Sequence, residues 1–517
     1  MKYLKISSLF SCLGLLALSS CDPKIDTPQP SADGKIDVSN YIAIGNSLTA
    51  GYASGGLYLE GQKVAYPVLI AQQFKMAGGG DFYAPLFEAD QADGTGYLRL
   101  DGFQSATSPI LTRVPGSQNA VLGKSPFAYN ASLNPDSIVL KPYSGTKINN
   151  FGVPGIRVAD IEQVGYGWPN SYFGRMLTDA EKSTKSYSAK VLEQNPTFFS
   201  CWLGNNDVLG FSTAGGYADL GKVTPIALFK QNYNSFMGKL MALPSKPKGV
   251  IANIPDVTSI PFFTTVTPSV KTSLTAQNVP GFYEFKFDSS FQDVVIPQLL
   301  SPTGSILDTN KVYQWATSSL ASLNPITGSF SGNVFFTLTF SPYASLIGKP
   351  GGKAWRDIIK TLVNTFVLPP PFNAIPKDQL EFLAWQNSGL DTTKLFGLHK
   401  LNPIPDVFVL NAFESGRARS ATQAYNSHIE QMAKQQFNLA FVDANAYLGQ
   451  ITKGSYFDAI STNASFISGG AFSLDGVHLT PRGNALAANE FIKAINSKYN
   501  TKITVVNPGQ YKGVTFP

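Results

Sequence analysis

Four short segments of this 517-residue chain hold side chains able to carry acyl-transfer chemistry. The first, Tyr41-Ile42-Ala43-Ile44-Gly45-Asn46-Ser47-Leu48-Thr49-Ala50-Gly51-Tyr52, runs an apolar stretch into a tight turn and then an expected helix, with Ser47 near the end of the apolar stretch. The second, Asn149-Asn150-Phe151-Gly152-Val153-Pro154-Gly155, and the third, Leu203-Gly204-Asn205-Asn206-Asp207, also follow apolar stretches. The fourth, Leu474-Asp475-Gly476-Val477-His478-Leu479-Thr480-Pro481, sets a carboxylate three residues before a histidine. A serine hydroxyl is a weak nucleophile until a neighbouring base takes its proton. His478 would be that base, and Asp475 on the same loop would hold its other ring nitrogen. The chain has three histidines, His399, His428 and His478, and only His478 has a carboxylate at this spacing. His399 reads as a surface or packing residue and His428 as a packing residue within a helix.

The elements that would position these groups are legible in the hydrophobic pattern. Candidate strands are Tyr41–Ile44, Lys147–Phe151, Thr197–Leu203, Gly249–Ile254 and Leu439–Val442. Several are unbroken apolar runs, as a parallel sheet covered on both faces requires. One helix is expected to start at Thr224 as cap with Pro225 in its first turn, burying Phe229, Tyr233, Phe236 and Leu240. A second is expected from about Ser420 to Gln435. A third has Thr480 as cap and Pro481 in the first turn, with Ala485, Ala488, Ile492 and Ile495 on one stripe. This alternation predicts an α/β fold, a three-layer α/β/α sandwich around a parallel sheet. In such open sheets ligands gather at the carboxyl ends of the strands, where Ser47 would sit.

In this order the four segments resemble the sequence blocks of the SGNH (GDSL-like) hydrolases. The resemblance implies a flavodoxin-like α/β/α fold and ester hydrolysis through a covalent acyl-enzyme, with neither metal nor organic cofactor. It maps the nucleophile onto Ser47 and the acid–base pair onto Asp475 and His478. It maps the oxyanion hole onto the N–H groups of Ser47 and Gly155 and the side-chain amide of Asn206. One departure is plain. The first block reads Gly45-Asn46-Ser47-Leu48, with an asparagine where the family has an aspartate. That carboxylate is not one of the family's triad groups, so the nucleophile's chemistry is expected to survive.

Other residues invite weaker readings. Asn253-Ile254-Pro255-Asp256 follows a strand on the same sheet edge and is either a structural turn or part of a cleft wall, the turn being the simpler reading. Asp443, at the end of the last strand, reads as a loop anchor. Cys201, inside Phe198-Phe199-Ser200-Cys201-Trp202-Leu203, reads as a small buried hydrophobe. Cysteine and histidine are too few and too scattered for a metal site to be expected.

Two stretches break the strand–helix rhythm, residues 53–145 and 264–410. Both read as insertions within a domain spanning 38–500, each with structure of its own, because unstructured loops of that length are uncommon in compact domains. They would form a lid or a binding wall. They, and not the catalytic blocks, would decide between an esterase or lipase, a carbohydrate O-acetyl esterase and an acyltransferase. A catalytically inactive, surface-anchored binding protein is the alternative from another class.

The ends of the chain carry an address. Lys2 and Lys5 and the apolar stretch Ile6–Leu18 read as a secretory signal over residues 1–20. Leu18-Ser19-Ser20-Cys21 resembles the lipobox of bacterial lipoproteins, which implies acylation of Cys21, an ordinary secretion signal being the alternative. Residues 21–37 read as a flexible tether and 501–517 as a C-terminal tail. The expected partners are therefore a small-molecule, lipid or glycan ester and, through the anchor, a membrane of the bacterial cell envelope. Aliphatic and aromatic residues make up 43% of the chain and charged residues 14%, which argues against disorder. The net charge of +6 is spread thinly without a basic run, so a nucleic-acid partner is not expected.

Overall fold

A computed structural model of the chain describes residues 31–32, 35–105, 108–124, 138–216, 222–277, 281–285, 312–316, 333–365, 376–386, 388–457 and 460–517. The expected leader, Cys21 and most of the tether lie outside the described residues. Among the described residues, no helix is long and apolar enough to cross a membrane.

The five candidate strands lie in one parallel sheet, the second starting at Asn150 and not at Lys147: β1 (Tyr41–Gly45), β2 (Asn150–Gly152), β3 (Phe198–Trp202), β4 (Lys248–Ala252) and β5 (Ala440–Val442). Their order across the sheet is β2-β1-β3-β4-β5, every neighbouring pair parallel. Gly45 pairs with Gly152 on one side and Trp202 on the other, so the carboxyl ends finish nearly in line. Six helices concern the site: α1 (Tyr66–Met76), α2 (Asn206–Thr213), α3 (Ile226–Met241), α4 (Ala412–Gln431), α5 (Ala444–Lys453) and α6 (Pro481–Tyr499).

Alternation along the strands divides the core between two faces. Ile42, Ile44, Phe199, Cys201 and Ile251 pack with Phe229, Tyr233, Phe236 and Leu240 of α3 and with Tyr425 and Ile429 of α4. Tyr41, Ala43, Phe198, Val250 and Ala252 pack with α1 and α6 on the other side. With both faces covered, every strand residue must be tolerable inside, which is why these strands read as continuous apolar runs.

The helix boundaries differ from expectation in instructive ways. Pro225, with extended backbone, takes the cap position of α3 in place of Thr224. Thr224 is held outside the helix by its N–H, which donates to the Asp207 carbonyl at 3.0 Å. Helix α4 begins eight residues before Ser420, because Asn411 and Glu414 form a reciprocal capping box: the Asn411 side chain accepts the Phe413 and Glu414 N–H groups, and Glu414 accepts the Asn411 N–H. At α6 the expected cap holds, the Thr480 hydroxyl accepting the Gly483 N–H at 3.0 Å. Ala485, Ala488, Ile492 and Ile495 of α6 are fully buried.

Residues 53–145 are not wholly peripheral. Helix α1 buries Tyr66, Leu69, Ile70 and Phe74 against the sheet, an i, i+3, i+4, i+8 stripe masked in the sequence by glycine- and serine-rich flanks. Beyond it, Gly96–Ser105 pairs with Ser108–Pro115 as an antiparallel ladder. Within 264–410, Val270, Phe282, Phe285, Phe340, Trp355 and Ile404 build a separate core cluster. The strand Gly281–Phe285 lies there between Val312–Ala316 and Ile404–Pro405.

The tail from 501 packs onto α6. Asn489 donates to the Val506 carbonyl and accepts its N–H, and Asn496 treats Ile503 in the same way. Ser31 in turn pairs with Lys502 through both backbone groups.

One buried side chain ties the sheet together beneath the site. Tyr187 is fully buried, and its hydroxyl accepts the Gly45 N–H at 3.1 Å while donating to the Phe151 carbonyl at 2.6 Å. Tyr187→Phe removes two hydrogen bonds to backbone groups in an apolar interior. It is expected to lower stability by about 1–3 kcal/mol, read as a fall in the denaturant midpoint with unchanged slope.

Candidate active site

Ser47 sits where β1 runs out. Asn46 caps the single helical turn Ser47–Ala50, its side-chain oxygen accepting the Leu48 N–H at 3.1 Å. The asparagine thus does locally what a carboxylate would do there, without charge. Its Nδ2 is buried with no hydrogen-bond partner among the described residues. The turn lies so close to β2 that a Cβ on Gly152 would stand 2.2 Å from the Ala50 nitrogen. Only glycine allows this approach.

His478 reaches Ser47 from the far end of the chain. Its Nε2 lies 2.9 Å from the Ser47 hydroxyl, and its Nδ1 lies 2.8 Å from an Asp475 carboxylate oxygen. The other Asp475 oxygen accepts the N–H groups of Val477 and His478, each at 2.9 Å, and the Ser473 hydroxyl at 3.1 Å. Burial raises the Asp475 carboxyl, but the imidazolium charge and hydrogen bonds of His478, with the backbone donors, outweigh it and hold the group well below the ordinary carboxylate value.

Contacts that spacing did not reveal fix the position of this loop. Gly55 donates its N–H to Asp475 at 2.7 Å, Ser54 donates its N–H to the Ser473 hydroxyl at 2.8 Å, and Leu474 donates to the Ser54 hydroxyl at 3.4 Å. Tyr52 packs its ring 4.6 Å from the His478 ring. On the other side the Gly476 carbonyl accepts the Phe262 N–H at 2.9 Å. The sequence by itself assigns no role to Tyr52, Ser54, Gly55 or Ser473.

The other two segments follow β2 and β3, the strands that flank β1, and are linked by hydrogen bonds. Asn206 opens α2 and spends one amide hydrogen on the Ile156 carbonyl, at 3.0 Å, leaving the other available. Asp207, fully buried, accepts the Val158 and Ala159 N–H groups at 2.8 and 3.3 Å. Burial pushes its carboxyl up to about 7, against the opposing pull of the Val158 N–H and the Arg157 charge. Two consecutive side chains therefore pin the loop that carries Gly155. Gly155 itself is exposed, with φ of +81°, and is not among the residues lining the cleft described next.

A solvent-open cleft enclosing about 810 Å³ begins at Ser47 and His478. Asn46, Asn205 and Asn206 border it, and Leu448, Ile451, Phe472 and Leu486 are among its apolar lining. Pro255, Val257 and Ile260 form part of its wall, so the segment after β4 does contribute. Asn253 instead donates to Asp443 at 2.9 Å and accepts the Asn445 N–H at 2.9 Å. Asp443 also caps α5 by accepting the Ala446 N–H, a structural anchor between β4 and β5. His399 and His428 do not line the cleft. Cys201 is fully buried, and burial pushes its thiol up to about 12. Among the described residues, three buried carboxylates, Glu284, Asp406 and Glu414, bring oxygens within 4.8 Å of one another, and none of them borders the cleft.

Compared with protein-family models, curated proteins and solved structures, the chain finds no significant match in any of the three.

The Asp475 environment has a measurable consequence. A carboxylate whose folded pKa is depressed stabilises the fold above its unfolded pKa of about 4, and that stability is lost as pH falls towards the folded value. Asp475→Asn is therefore expected to lower the melting temperature at pH 7. The gap to the parent should narrow steadily below pH ~4. A gap independent of pH would show that the carboxylate's charge contributes nothing.

Proposed function

We propose that this chain is a serine-dependent hydrolase of carboxylic esters, of the SGNH type, working through an acyl-enzyme on Ser47. The observation that carries the reading is the hydrogen-bonded line from Ser47 Oγ through His478 to Asp475, at 2.9 and 2.8 Å. The strand order 2-1-3-4-5 supports the flavodoxin-like form of the fold. Its direction reverses between β1 and β3, the switch point outside which such sheets bind ligands. Ser47 and Asn206 follow those two strands.

In the first half-reaction the Ser47 oxygen attacks the ester carbonyl carbon as its proton passes to His478 Nε2. The carbonyl electrons move onto oxygen, where the Ser47 and Gly155 N–H groups and the free Asn206 amide hydrogen would receive the charge. On collapse the carbon–oxygen bond to the alcohol breaks, and His478 returns its proton to the leaving oxygen. Water then repeats the sequence against the acyl-enzyme, releasing the acid and restoring the Ser47 hydroxyl. Asp475 holds the Nδ1–H throughout and stabilises the imidazolium without taking its proton.

The same reading places the protein at the bacterial cell envelope, lipid-anchored through Cys21. Nine residues, 22–30, separate that cysteine from Ser31, where pairing with Lys502 begins. Their extended length is about 30 Å. An anchored enzyme would thus work close to a bilayer surface. A binding protein that had lost catalysis would have no reason to keep the whole hydrogen-bonded line, which weighs against that alternative.

Release of p-nitrophenol from short-chain esters tests the mechanism. Ser47→Ala is expected to lower kcat by at least about a thousandfold, and an active-site-directed fluorophosphonate to label Ser47 in the parent alone. Asn206→Ala is expected to lower kcat by about a hundredfold or more with little change in KM, because its hydrogen bond strengthens only as the oxyanion forms. Activity indifferent to Ser47 would sink the proposal.

A further inference from the structure

We infer that the cleft beside Ser47 is the acyl side of the substrate site, and that it selects esters of medium-length, apolar acyl groups over acetyl esters. The inference rests on the ester-hydrolase reading above and adds the substrate class to it.

The distribution of polarity in the cleft is the first argument. Its polar members are few and come from the segments of the candidate site: Asn46, Ser47, Asn205, Asn206 and His478. Beyond them the lining is apolar except for Trp202 and Tyr447. The Trp202 indole N–H is already committed to the Asn253 carbonyl at 3.0 Å. A site for a sugar acetate would need side chains that exchange hydrogen bonds with hydroxyls, and this wall has almost none. It suits a hydrocarbon chain, whose transfer from water is favourable in proportion to the apolar area covered.

Length is the second. Ala444, Tyr447, Leu448 and Ile451 all line the cleft and follow i, i+3, i+4, i+7 along α5, one continuous stripe. At 1.5 Å per residue that stripe makes a wall about 10 Å long. Gly483, Leu486 and Ala487 of α6 line the cleft as well. An acetyl methyl would leave nearly all of this surface wet, whereas a longer chain would cover it.

Direction is the third. Besides Asn46–Leu48, Leu209 and the 471–479 loop, the cleft draws on the loops after β3 and β4 and on α5 and α6, and on nothing from 152–160. The acyl chain therefore runs under the β4–β5 side. The alcohol leaves over the other side, where Gly155 is exposed.

The test is a chain-length profile of p-nitrophenyl acetate, butyrate, octanoate and decanoate with the full chain. Each methylene entering the cleft is worth up to about fourfold in kcat/KM. Octanoate is expected to exceed acetate by at least about tenfold, and Leu448→Trp, which fills the cleft from α5, to cut that ratio by about tenfold or more. Competitive inhibition of butyrate hydrolysis by free octanoate and acetate provides a readout that needs no variant. Octanoate should inhibit at a concentration at least about tenfold lower. Ser47-dependent activity with a flat or falling profile, or equal inhibition by the two acids, overturns the inference and leaves the hydrolase reading standing. An absence of turnover on every ester, by contrast, overturns the hydrolase reading itself.

Discussion

Everything at the candidate site depends on one docking event, the seating of the Ser473–His478 loop against residues Tyr52–Gly55. His478 lies 431 positions from Ser47, and no local preference of either segment brings them together. Three backbone donors converge on the two loops: Gly55 onto Asp475, Ser54 onto the Ser473 hydroxyl, and Leu474 onto the Ser54 hydroxyl. Because one Asp475 oxygen receives both the Gly55 N–H and the His478 ring nitrogen, the group that places the loop also fixes the imidazole. Position and orientation are set by the same atom. An imidazole held only by its own loop would be free to rotate away from the serine.

The sheet supplies the rigid floor for this arrangement. Its five strands are buried on both sides, and polar side chains inside it are matched with care. Tyr187 bridges β1 and β2, Asn150 donates to the Thr49 carbonyl, and Thr49 shares a hydrogen bond with Tyr66 of α1. Tyr66 is reached in turn by Asn484 of α6 through its backbone N–H. Buried polar groups left without partners are expensive, so such a network admits one arrangement of the strand ends and of the turn bearing Ser47. On the other flank Asn206 and Asp207 hold 156–159 in place by the same economy, with Asn232 of α3 adding donors to the Val158 and Ala159 carbonyls.

The region after residue 264 stands in a different relation to the site. Its described residues build their own core around Phe282, Phe340 and Trp355, yet they also touch the Ser473–His478 loop. A Cβ on Gly476, which has φ of +70°, would meet Leu338 at 2.9 Å. This region thus buttresses the loop that carries Asp475 and His478. The cleft wall, by contrast, is made mainly by α5, α6 and the segment after β4, elements of the sheet domain itself.

Sequence alone determined the five strands, the stripes of the α3 and α6 helices and the serine, aspartate and histidine of the candidate site, because each rests on local physics. Burial on both faces writes continuous apolar runs, 3.6-residue periodicity writes helices, and a carboxylate three residues from a histidine can reach it within one loop. It missed the early start of α4, since Asn411 and Glu414 act only as a reciprocal pair. It also missed α1, whose stripe is flanked by glycine-rich segments. Which loop holds Asp475, how Asp207 pins 156–159, and which wall closes the cleft were decided by tertiary structure. These contacts join residues tens to hundreds of positions apart, mostly through backbone groups that every residue possesses. Neither residue type nor spacing can encode them; only the packed chain brings the partners within hydrogen-bonding distance.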